Sequence, residues 1–238
     1  LGGAGVFTAQ YFGSKDYGRL KETYRFKVLA ALTIVTLSFF ILTFFGGALF
    51  SLFTDNPTII AGAEGYFKIV RWSMFPWAVS VSISFTFRET GITKPLLFIS
   101  LGTIFTNTFF NYLLIFGNWG FPELGINGAA IATLMSRILE FLLLLILVVK
   151  RGQLFNTKIK DIYKIEALVL KSIIIMAIPL MLNEVLWSTG QTVFIQAYST
   201  RGENAYAAAN ITSAISQLIF VVFGGISTGI AVMVGNTL

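Results

Sequence analysis

The chain contains no cysteine and no histidine. Disulfides, thiolate nucleophiles, zinc sites with sulfur or imidazole ligands and histidine general bases are therefore excluded from it. Charge is almost as scarce, since Lys, Arg, Asp and Glu make up 12% of the 238 residues while 55% are hydrophobic; soluble domains carry roughly 25% charged residues. Val28 to Thr54, Leu96 to Pro122 and Asn204 to Leu238 hold no charge at all, and each exceeds the ~20 residues a helix needs to cross a bilayer. No GxxxxGK[ST] phosphate loop occurs, and no grouping of general acid, base and nucleophile marks an enzyme. What remains is the composition of an all-α polytopic membrane protein whose first partner is the lipid bilayer. The net charge of +6 would suggest nucleic acid in a soluble domain; in a membrane protein the placement of the basic residues matters instead.

Apolar runs set against turn signals predict the end of one helix at 1–13 and six full spans near 28–53, 65–87, 96–117, 127–149, 168–198 and 204–238. The basic residues fall in alternate connections. Lys15, Arg19, Lys21, Arg25 and Lys27 follow the first helix, Arg88 and Lys94 the third, and Lys150, Arg151, Lys158, Lys160, Lys164 and Lys171 the fifth, together 13 of 17. The intervening connections hold only Arg201. By the positive-inside rule the basic set is expected in the cytoplasm, which predicts a multi-pass protein of the cell (inner) membrane. Residue 1 is not Met, and both ends fall inside apolar runs, so the chain is expected to be an internal piece of a longer polypeptide whose other helices are its partners. A short echo supports the span number: Gly3, Val6 and Gln10 match Gly229, Val232 and Asn236 at an offset of 226 residues that encloses six spans. An even number of spans leaves both copies in one orientation, as in transporters built from two parallel halves.

The run N-x-x-x-N-Y-L-L-I-F-G-x-x-G-F-P-E-L-G-I-N-G-A-A-I-A-T, Asn107 to Thr133, resembles the fifth and sixth helices of the multidrug and toxic compound extrusion (MATE) family. F-R-E-T-G-I-T-K-P at 87–95 is similar to that family's connection after its fourth helix, and I-P-L-M-L-N-E-V-L-W with A-A-A-N-I at 207–211 to its seventh and eighth. The resemblance implies a twelve-helix, two-lobe transporter with a pseudo-two-fold parallel repeat. It places 1–150 in the N-terminal lobe, 151–167 in a cytoplasmic inter-lobe connection and 168–238 at the start of the C-terminal lobe. It further implies an antiporter that exports cationic amphipathic compounds in exchange for Na+ or H+ by alternating access, with no cofactor beyond the coupling ion.

Polar residues inside the apolar spans are the candidate site. Asn107 and Asn111 lie four apart and stack on one helix face near Thr103, where amide oxygens can coordinate a hard cation or accept from an ammonium group. The simpler alternative is a bond between helices, worth ~0.6 kcal/mol on average. Where some relatives carry aspartate, Asn111 cannot titrate. Glu184 is a carboxylate with twelve uncharged residues before it and sixteen after it, at a depth that costs ~2.5–3.5 kcal/mol on insertion scales. It is the first candidate for cation coupling, including a possible Na+ site, with Asn183 and Gln191 beside it; the alternative is a carboxylate that tethers helices. Some family members carry a glutamate in this helix, but the spacing to 207–210 puts Trp187, one turn away, at that position. Gln196 and Gln217 are added to the cavity candidates. Arg137 and Glu140, three apart, form a candidate intramembrane charge pair that neutralises itself. Gly225 and Gly229 have the spacing that lets helices approach closely. A lipid-linked oligosaccharide flippase of the same superfamily, with more charge expected in its cavity, and a non-transporting membrane scaffold remain as alternatives.

Overall fold

The computed structural model describes residues 1–151 and 161–237, and among these there are helices and no strands. The helices are α1 (Gly2–Gly13), α2 (Tyr17–Ser51), α3 (Pro57–Val70), α4 (Met74–Glu89), α5 (Lys94–Phe116), α6 (Ile126–Lys150), α7 (Ala167–Ser199) and α8 (Glu203–Thr237). Five of them, α2, α5, α6, α7 and α8, are long and apolar enough to cross a membrane. Lys158 and Lys160, with the middle of the expected inter-lobe connection, lie outside the described residues.

Two predicted boundaries change. The second helix was expected from residue 28 and starts at Tyr17, because the Asp16 side chain accepts from the Arg19 N–H and caps it. Arg19, Lys21, Arg25 and Lys27 therefore stand on the first turns of α2, not in a loop. The expected uninterrupted span 65–87 is two helices, α3 and α4, joined by a 3-10 turn at Arg71–Ser73. Pro76 explains the tightening: it has no N–H for the Trp72 carbonyl, and its ring crowds that carbonyl. The chain nonetheless stays right-handed through Val70, Arg71, Ser73 and Met74, so the axis continues.

The glycine-rich connection between α5 and α6 behaves as the sequence indicates. Gly117 ends α5 at φ 66°, and Gly120 and Gly125 also take positive φ, conformations open to glycine at little cost. The Leu124 N–H donates to the Leu114 carbonyl at 2.9 Å and turns the chain back. Gly128, Ala132 and Ser136, one turn apart on α6, are all buried, so a stripe of small side chains lets α6 lie close against α5.

Ile83, Phe87, Leu96 and Leu144 bury one core between α4, α5 and α6. Ala4, Val169 and Ile173 bury a second where α1 meets α7. Helix α1 thus packs against α2 and α4 on one side and against α7 and α8 on the other. The close approaches there are Gly3 against Ala177 and Ala9 against Gly235. Gly225 and Gly229 make no close approach to another helix among the described residues: a Cβ at either would meet nothing within 4 Å. The connection before α7 is tied to α2, where Arg25 donates to the Lys164 carbonyl at 2.8 Å and Glu22 accepts from the Glu166 N–H at 2.9 Å.

Candidate functional site

Helices α5 and α6 are apolar over most of their length, so the polar groups on their shared seam must satisfy one another. Asn111 Nδ2 donates to Asn107 Oδ1 at 3.1 Å, Asn107 Nδ2 donates to Ser136 Oγ at 3.2 Å, and Ser136 Oγ donates to the Thr133 carbonyl at 2.9 Å. One acceptor is left over: Asn111 Oδ1 is buried without a hydrogen-bond partner among the described residues. Beside the relay lies a cavity of 280 Å³ lined by Thr103, Ile104, Asn107, Thr133, Ser136 and Arg137. Asn107 both bridges the helices and lines the cavity with Thr103, whereas Asn111 is not among the lining residues.

Arg137 and Glu140 form the expected pair, with Arg137 Nη1 and Glu140 Oε2 2.9 Å apart. The guanidinium also lies 5.8 Å from the centre of the Trp77 ring on α4, within cation–π range. Arg137 is thereby neutralised at the edge of the cavity, and the lining presents hydroxyl and amide groups with little net charge. Such a lining holds a cation or a hydrogen-bond donor without repelling it.

Glu184, Asn183, Gln191 and Gln196 stand on α7 and Gln217 on α8, all exposed. Among the described residues, no side-chain hydrogen bond or ion pair joins them to one another or to the α5–α6 relay. Glu184 lies near the middle of α7, ~26 Å along the axis from Ala167 and ~22 Å from Ser199 at 1.5 Å per residue. Five residues before it, Pro179 sits inside the helix and leaves the Ile175 carbonyl without its helical N–H.

A second charged site was missed. Lys27 on α2 is fully buried and donates to Glu89 Oε2 on α4 and, at 3.3 Å, to Thr86 Oγ1. Both residues had been assigned to connections between spans. The available signal was the pairing of a cation and an anion at neighbouring helix ends, and it is recognisable only once α2 is known to begin at Tyr17.

The fold is that of a polytopic helical membrane protein with polar groups sequestered between its spans. Residues 2–113 match the MatE family model. Among curated relatives, the chain is 30% identical to "Probable multidrug resistance protein NorM" of Thermotoga maritima over 75% of this chain and 38% of that one. It is 26% identical to "Probable multidrug resistance protein YoeA" of Bacillus subtilis over 98% and 50%. In structure it is similar to the MATE transporter VcmN of Vibrio cholerae, with a TM-score of 0.79, 21% identity and coverage of 98% of this chain and 53% of that chain. The chain is thus similar to MATE transporters in part of its sequence and in its fold, and it spans about half the length, or less, of these relatives.

Proposed function

We propose that this chain forms part of a secondary active antiporter that exports cationic amphipathic compounds in exchange for Na+ or H+. In this reading 1–150 belong to one lobe, 151–167 connect the lobes, and 168–238 begin the second. The basic helix ends face the cytoplasm. Two relatives named as probable multidrug resistance proteins support drug export in general. The observation that carries the reading is the unpartnered Asn111 oxygen at the end of the Asn107–Ser136 relay. A buried acceptor without a donor is costly, and an incoming ammonium or metal cation satisfies it.

The test is dye efflux from proteoliposomes that contain the complete protein, energised in turn by a Na+ gradient and by a pH gradient. Export is expected under at least one gradient and not without either; export that ignores both gradients would overturn the antiport reading. Asn111→Ala is expected to lower the rate about tenfold, since a hydrogen bond to a charged group contributes ~1.5–3 kcal/mol. An unchanged rate would remove the relay from the substrate path.

A further inference from the structure

The Lys27–Glu89 pair lies outside every group invoked for transport above. It sits where α1, α2 and α4 meet, surrounded by hydroxyls: Thr86 on α4, and Thr8 on α1, which lies 2.9 Å from Thr23 on α2. The carboxylate rests directly on Gly5, and a Cβ there would collide with Glu89 Oε1. A buried ion pair is seldom more stabilising than well-packed apolar residues of the same size. An ionisable pair buried beside a cleft instead marks a candidate functional site.

The pair is not enclosed symmetrically. Glu89 borders a cavity of 410 Å³ between α1, α4 and α8, lined also by Gln10, Arg88, Ser227 and Thr228, whereas Lys27 does not line it. Helix α8 forms one wall of this cavity, and it approaches α1 at Ala9 and Gly235. Any change in the spacing of α1 and α8 therefore changes access to the carboxylate and leaves the ammonium buried.

We propose that Glu89 is a proton-binding site, reached through the cavity between α1, α4 and α8 and separate from Glu184. The proton comes from hydronium in water entering that cavity: one hydronium O–H bond breaks and leaves water, an O–H bond forms on the carboxylate, and the pair passes from zero to one net positive charge. Lys27 then keeps Thr86 as its acceptor. The groups facing Glu89 are few. They are Lys27 from α2, Thr8 and Gln10 from α1, Thr86 and the neighbouring Arg88 on α4 itself, and Ser227 and Thr228 from α8. Lys27 is thus the side-chain cation in direct contact with the carboxylate.

The link to efflux rests on the antiport reading, but protonation can be measured without transport. In the complete protein, an infrared titration is expected to show a carboxylic-acid band that appears as pH falls, vanishes in Glu89→Gln and persists in Glu184→Gln. Glu89→Gln strands a buried ammonium and risks misfolding, so the Lys27→Met/Glu89→Gln double variant, which removes both charges, is titrated beside it. Loss of the band in the double variant, with the midpoint of the pH–efflux profile shifted by about one unit or more, is the expected result. A band that survives in the double variant, the lack of any such band in the parent, or a pH–efflux profile of the double variant superimposable on the parent's overturns the proposal. If the parent exports nothing, the antiport reading fails, and the infrared titration alone decides the fate of Glu89.

Discussion

Glu184→Gln in the complete transporter is expected to cut ion-driven efflux by at least about tenfold, a barrier change of ~1.4 kcal/mol or more. The residue stands near the centre of a 33-residue apolar helix, and an ionisable side chain within a membrane span is a functional-site candidate by default. Glutamine keeps the size and one acceptor oxygen of the side chain but removes the negative charge that holds a hard cation. If the α5–α6 relay binds substrate as proposed, Glu184 takes no part in that binding, so dye affinity is expected to change little while gradient-driven turnover falls. The variant is tested in proteoliposomes under separate Na+ and pH gradients, with dye binding measured in parallel. Turnover equal to the parent under both gradients would move ion coupling away from α7.

Features set by local chemistry were legible in the sequence. The turn between α5 and α6 depends on Gly117, Gly120 and Gly125, and the Arg137–Glu140 pair depends only on a three-residue spacing. The Asn107–Asn111 stacking is likewise local, but its continuation to Ser136 crosses 29 residues of sequence. The Lys27–Glu89 pair, 62 residues apart, has no local signature. Hydropathy alone places the start of a span at the first uncharged residue, whereas Asp16 starts the helix well before it, which carries Lys27 into the bundle on the third turn of α2. Pro76 was visible, but its effect on α3 and α4 was hidden by the apolar residues on both sides. The echo between the two ends of the chain acquires a spatial meaning: Val6 and Gln10 of α1 and Val232 of α8 line one cavity. Segments near a two-fold axis meet their own counterparts in this way.

Gly128→Val is expected to be the most damaging substitution on the α5–α6 seam. A Cβ at Gly128 would overlap the Leu114 carbonyl and lie 3.0 Å from the Ile115 nitrogen. The obstruction is backbone, so no rotamer change relieves it. The Leu114 carbonyl is also held by the Leu124 N–H, which prevents the end of α5 from yielding without breaking the turn. The start of α6 must therefore move away, at a cost near the upper end of the ~1–3 kcal/mol typical of overpacking. Ser136 lies two turns along the same face of α6, and its 3.2 Å bond from Asn107 has no slack to absorb that movement. Loss of thermal stability and loss of efflux are expected together, whereas Asn111→Ala lowers efflux with stability nearly unchanged. Gly102→Ala on α5 is the control: its added methyl meets nothing within 4 Å, and alanine favours a helix over glycine by ~0.8–1 kcal/mol in aqueous hosts. Its unfolding temperature is expected to hold or rise. An unfolding temperature of Gly128→Val equal to that of Gly102→Ala would show that α6 does not rest on the Leu114 backbone, and the Asn107–Ser136 geometry would go with it.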